Sequence, residues 1–126
     1  MKLKYLEVTS YFFAATAVTC AAMGAHLLKD HWHDDDAADQ FATATRILFW
    51  HAIGVWICCR VDPPLKIAGS VMAISTVVFC GSVFALSLGA SSFWAQFAPV
   101  GGSGLILSWI WMGFSRGRLS TPARSL

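Results

Sequence analysis

The chain is 126 residues long, 56% hydrophobic and 13% aromatic, with only 13% charged residues and a formal net charge of +2. Soluble domains carry about 25% charged residues, so this composition, with a mean hydropathy of +0.59, excludes an ordinary soluble globule and an intrinsically disordered chain. Nine Lys and Arg against seven Asp and Glu also fall far short of the dense basic stripe of a nucleic-acid binder. What remains is a small integral membrane protein, all-α, built as a four-helix bundle with short loops.

A spanning helix needs about 20 mostly apolar residues to cross a hydrocarbon core of ~30 Å. No charge interrupts Val8 to Leu28, which predicts a first span over residues 8–28. The second is shorter, because Ile47 to Cys59 is bounded by Arg46 and Arg60. Starting it near Phe41 and letting both arginines snorkel to the headgroups gives a span over 41–60. Nothing is charged between Lys66 and Arg116, and Gly89-Ala90-Ser91-Ser92 is the natural break in that run. The third span is therefore 67–88 and the fourth 93–114, all within a single membrane domain. Lys2 and Lys4 ahead of an apolar run, then Ala21-Ala22, have the outline of a cleaved signal. Thr19 before Cys20 fits a lipoprotein signal poorly, and we read the segment as a retained span.

Orientation follows the positive charges. With four spans, Lys2, Lys4, Arg60, Lys66, Arg116, Arg118 and Arg124 share one side, while Lys29 and Arg46 lie on the other beside Asp30, Asp34, Asp35, Asp36 and Asp39. Both termini are expected on the cytoplasmic side of a bacterial plasma membrane or the matrix side of a mitochondrial inner membrane.

Helices in lipid associate through close backbone approach and polar contacts, because lipid tails are as apolar as leucine. Ala17, Ala21 and Ala25 recur every four residues on the first helix, with Gly24 and Cys20 on an adjoining face. The third helix offers Ser70, Ala73, Gly81 and Ser82; the fourth offers Gly101, Gly102 and Gly104, with Pro99 placed to open a helical segment after a lead-in from Phe93. These residues are expected to pack the bundle.

Intramembrane ionisable groups are the default functional candidates. Here they are His26, Arg46 and His51. Two histidines on adjacent helices suit a haem or a metal, or a proton-linked or quinone-linked role. The plainer reading is that each neutral imidazole donates a hydrogen bond to a neighbouring helix. In the loop, His31-Trp32-His33-Asp34-Asp35-Asp36 has the groups to chelate a divalent ion, although an acidic loop run is ordinarily solvated. Asp34, Asp35 and Asp36 are the better candidates for docking a basic partner, as Arg116, Arg118 and Arg124 are for an acidic one. Cys20, Cys58, Cys59 and Cys80 form no C-x-x-C pair and read as small apolar residues, with palmitoylation of Cys58-Cys59 a lesser option. No phosphate-binding loop, nucleophile elbow or zinc-protease motif is present. We therefore expect no catalytic site and no cofactor.

Several strings then line up in order: Gly24-Ala25-His26-Leu27-Leu28, Thr43-Ala44 followed by Trp50-His51-Ala52, Phe79-Cys80-Gly81-Ser82-Val83-Phe84-Ala85-Leu86, and Pro99-Val100-Gly101-Gly102 with Trp109. Together they resemble, over essentially the whole chain, the small inner-membrane proteins grouped as domain of unknown function 423. The resemblance implies four membrane helices and supplies no activity. It also has departures. Ile47-Leu48 stands where the family commonly has Tyr-Gln, and Cys80 and Phe84 replace the serine and tyrosine of its Phe-Ser-Gly-Ser-Leu-Tyr string. On the expected topology the matching strings fall toward one half of the bundle, as a packing knot or the wall of a small pocket.

The functional expectation is a non-catalytic accessory subunit of a larger energy-transducing complex, respiratory or ATP-synthesising, with membrane lipids and protein subunits as partners and no nucleic acid. The alternatives are a stand-alone oligomeric transporter, channel or lipid-binding protein, and a redox protein using His26 and His51.

Overall fold

The computed structural model describes residues 3–119. Helix α1 runs Lys4–Ala22 and continues into a π-helical turn, Met23–Leu27; α2 is Asp35–Arg60 and α3 Lys66–Ser87. A 3₁₀ turn at Ser92–Gln96 leads into α4, Phe97–Leu119. All four helices are long and apolar enough to cross a membrane, and the described residues contain no strand.

Local chemistry explains the boundaries. The carboxylate of Asp34 accepts the backbone N–H of Ala37 at 2.7 Å, and Asp35 and Asp36 occupy the first turn of α2, where negative charge complements the helix dipole. Helix α2 therefore starts well before Phe41. It stops at Arg60 because Pro63 and Pro64 follow, which cannot extend a helix. After α3, Gly89 adopts φ +87°, a left-handed conformation that closes a helix end at low cost only for glycine. Ser91 accepts the N–H of Phe93 at 3.3 Å to start the 3₁₀ turn, and Pro99 sits in the first turn of α4, where a missing N–H is tolerated.

Helices α2 and α3 form the centre. Helix α1 packs on α2 and α4 on α3, while α1 and α4 have no substantial contact with each other. The main core joins Val55 and Cys58 of α2, Met72 and Ala73 of α3, and Leu105 and Met112 of α4. A smaller cluster joins Ala17, Leu48 and Cys80. At one end Arg60 reaches Glu7 at 3.4 Å, and Arg116 donates to the carbonyl of Asp62 at 2.9 Å. The start of α1, the loop after α2 and the end of α4 thus gather as a basic end, opposite the acidic loop between α1 and α2.

Close approach depends on glycine at particular points. A Cβ on Gly101 would lie 2.5 Å from the backbone N of Phe79 and 2.8 Å from its Cα, so α3 and α4 meet backbone to backbone there. Gly54 is filled by Met72 and Trp109, Gly69 by Leu6 and Cys58, and Gly104 by Ser75. Gly102 and Gly24 make looser contacts, with the rings of Phe79 and Phe41, and Ser82 is buried.

Other expected packing residues take different places. Gly81 is exposed, with open space where a Cβ would stand. Pro99 is exposed as well. Of the alanine stripe, Ala17 is buried but Ala21 and Ala25 are exposed. Residues four apart on an α-helix drift around its axis rather than stacking in line, and the π turn changes the phase again before Ala25. The stripe therefore leaves the α2 interface and becomes the side of a cleft.

Candidate functional site

Most of the buried hydroxyls close on their own helices. Thr45 donates to Phe41 O, Thr76 to Met72 O, Ser82 to Phe79 O, Ser87 to Phe84 O and Ser108 to Gly104 O, at 2.7–2.8 Å. This pattern satisfies a hydroxyl in lipid without a partner helix. No buried side-chain nitrogen or oxygen among the described residues lacks a hydrogen-bond partner.

His51, by contrast, is bonded across to another helix. Its Nε2 accepts the indole N–H of Trp109 on α4 at 3.1 Å, and the two rings meet edge to face at 6.0 Å. Indole can only donate, so the imidazole proton must be on Nδ1, which donates to Ile47 O at 2.6 Å. Both ring nitrogens are engaged, and the neutral tautomer is set by its neighbours. Sequence reasoning anticipated an imidazole donating to another helix. Instead His51 donates within α2 and accepts from α4. It missed Trp109 as the partner, although an indole N–H inside a membrane must find an acceptor.

His26 does not join this site. It is exposed on the π turn at the acidic-loop end, whereas His51 is buried and faces α4. The two histidines therefore do not form an axial ligand pair. Arg46 lies apart from both, exposed on α2, with Nε donating to Ala42 O at 3.3 Å. That bond turns the side chain back along the helix toward the acidic-loop end, the direction in which an arginine snorkels. No ion pair to Arg46 forms among the described residues.

Beside Arg46, α1 and α2 leave a cleft of about 340 Å³ with Ala21, Gly24 and Ala25 on one wall and Ala38, Ala42 and Arg46 on the other. Trp32 rims it, its ring tilted against Phe41 at 5.2 Å, and Phe41 in turn meets Phe84 of α3 edge-on at 5.0 Å. The Gly-Ala-His string thus contributes to an open wall, while Cys80, bonded to Ala44 O at 3.5 Å, and Gly101 belong to tight helix crossings.

In the loop, His33 lies 3.3 Å from Asp34, and Asp34 is committed to capping α2. No group of three or more His, Cys, Asp or Glu is arranged to hold a metal ion among the described residues. All four cysteines are free. Arg116 and Arg118 are exposed in the last turn of α4; Arg124 lies outside the described residues.

Residues 20–102 match the family model described as protein of unknown function, DUF423. The chain is also 31% identical over 103 residues to the UPF0382 membrane protein YwdK of Bacillus subtilis (strain 168), covering 77% of this chain and 83% of the relative. No solved structure matches it. The matched stretch holds His26, Arg46, His51 and the Phe79–Gly101 crossing, and with its four apolar helices this small membrane protein belongs to the DUF423 family.

Proposed function

We propose that the chain is a non-catalytic accessory subunit of a larger membrane complex, with its outer helices as the attachment surface. The observation that carries this reading is the uneven burial of the four helices. Half of the most apolar window of α2 and of α3 is buried, against 11% for α1 and 22% for α4. Two flanks of the same small bundle, bearing Tyr5, Phe12 and Val18 on one side and Ile106, Trp111 and Phe114 on the other, stand uncovered. Other subunits' helices or annular lipid must cover them. His51 supports the reading from inside, since its two nitrogens serve a structural bond between α2 and α4.

The hosts to test first are energy-transducing assemblies of respiratory or ATP-synthesising type, in the bacterial plasma membrane or mitochondrial inner membrane. In this reading the basic end faces the cytoplasm or matrix. Mild-detergent extraction of the native membrane, resolved by native electrophoresis with mass spectrometry along the lane, is the direct test. Comigration with such a complex at fixed stoichiometry is expected; migration alone, or only with itself, refutes the proposal.

A further inference from the structure

The cleft beside Arg46 does not end there. A second hollow of about 270 Å³ shares Ala21, Thr45 and Arg46 with the first and continues along Ala17, Phe49 and Trp50. A third, of about 200 Å³, shares Phe49 and runs on past Tyr11, Ile53 and Trp56. All three lie between α1 and α2, so they make one interrupted furrow along the helix pair. Its walls are apolar along most of the length, and its one charged group, Arg46, stands where the first two hollows meet.

From Phe41, where the apolar section of α2 begins, Arg46 lies about 8 Å along the helix at ~1.5 Å per residue, within snorkelling reach of the headgroup layer. There its guanidinium stands at the level of lipid phosphates, with no counter-charge among the described residues. Its Nε is occupied by Ala42 O, and its terminal nitrogens have no partner among the described residues. The planar fork of arginine matches a phosphate in two-point contact. An anion on Arg46 and an apolar tail in the furrow describe one molecule, a negatively charged amphiphile. A phospholipid enters such a furrow sideways from the bilayer, which a free ion cannot do.

We propose that the α1–α2 furrow is a binding site for one anionic membrane phospholipid, its phosphate held by Arg46 and one acyl chain laid along the furrow toward Trp56. The headgroup and glycerol occupy the first hollow under Trp32. The small side chains of Ala21, Gly24, Ala25, Ala38 and Ala42 are what keep that hollow open.

The test is native mass spectrometry of the full-length protein released from nanodiscs containing phosphatidylglycerol and phosphatidylcholine. It compares the wild type with Arg46→Gln, Arg46→Lys and Ala21→Leu, and circular dichroism in the same discs reports folding. The wild type should retain one phosphatidylglycerol in preference to phosphatidylcholine. Arg46→Gln should lose that preference by about ten- to a hundredfold, the usual worth of a charge-assisted contact, and Arg46→Lys should keep part of it. Ala21→Leu fills the first two hollows with the arginine intact, so retention should fall there too, even if Arg46→Gln does not fold. Equal retention of the two lipids by the wild type would overturn the proposal. So would undiminished retention in folded Arg46→Gln or Ala21→Leu. Full displacement by millimolar inorganic phosphate would show a free-anion site instead and overturn it as well.

Discussion

Replacing Gly101 by alanine adds one methyl group at the point where α3 and α4 are closest. Its Cβ would stand 2.5 Å from the backbone N of Phe79, 2.8 Å from the Cα and 2.8 Å from the Cβ. Ordinary contact begins at about 3.5 Å, so the two helices must separate by roughly 1 Å. Backbone cannot rotate aside as a flexible side chain does, and the separation would also loosen Leu105 and Met112 against Val55 and Met72. Overpacking of this kind costs about 1–3 kcal/mol, and the upper end is expected because packing is what holds membrane helices together. Gly81→Ala is the internal control, since its added methyl meets nothing within 4 Å and alanine is the better helix former, so it should be neutral or stabilising by up to about 1 kcal/mol. Reversible unfolding in mixed micelles, followed by circular dichroism, measures both. A Gly101→Ala protein within 0.5 kcal/mol of wild type, or a Gly81→Ala protein equally destabilised, would refute the reasoning.

Trp109→Phe keeps most of the ring volume but strands Nε2 of His51 as an unpaired buried acceptor, and the same titration should show a loss of about 1–3 kcal/mol. A value near zero would mean that α2 and α4 are joined by apolar contact alone. Asp34→Ala removes the cap of α2 and should cost about 1 kcal/mol, with increased amide exchange confined to the first turn of that helix. Arg60→Gln breaks the 3.4 Å contact with Glu7, but the arginine side chain is 59% exposed. The expected change is therefore below about 1 kcal/mol, and a larger loss would show that this end of the bundle is more sheltered than its exposure implies.

Much of the fold was legible because the relevant signals are local. A long uncharged run reports a membrane helix regardless of its neighbours. Pro63-Pro64, Gly89 and Pro99 mark helix ends through backbone restrictions that each carries on its own. Hydropathy marks the apolar span from Phe41, whereas the helix itself begins at Asp35, where the equally local carboxylate of Asp34 caps it.

The candidate site was legible only in its parts. His26, Arg46 and His51 stood out because ionisable groups are rare in a membrane, but what each meets depends on how the helices are rotated. Small residues were the least informative signal. Gly101 and Gly81 occur in equally conspicuous strings, yet one lies against the Phe79 backbone and the other faces open space. Whether an alanine stripe seals an interface or lines a cleft likewise turns on helix phase, which the π turn after Ala22 alters.

Composition and hydropathy by themselves determined that this chain is a four-helix membrane protein with a basic and an acidic end, because solvation is additive along a sequence. Tertiary structure alone decided that His51 is tied to Trp109 rather than paired with His26, that α1 and α4 leave two flanks uncovered, and that Arg46 opens onto a furrow. Those outcomes depend on distances between segments remote in the chain, set by which side chains let two backbones approach.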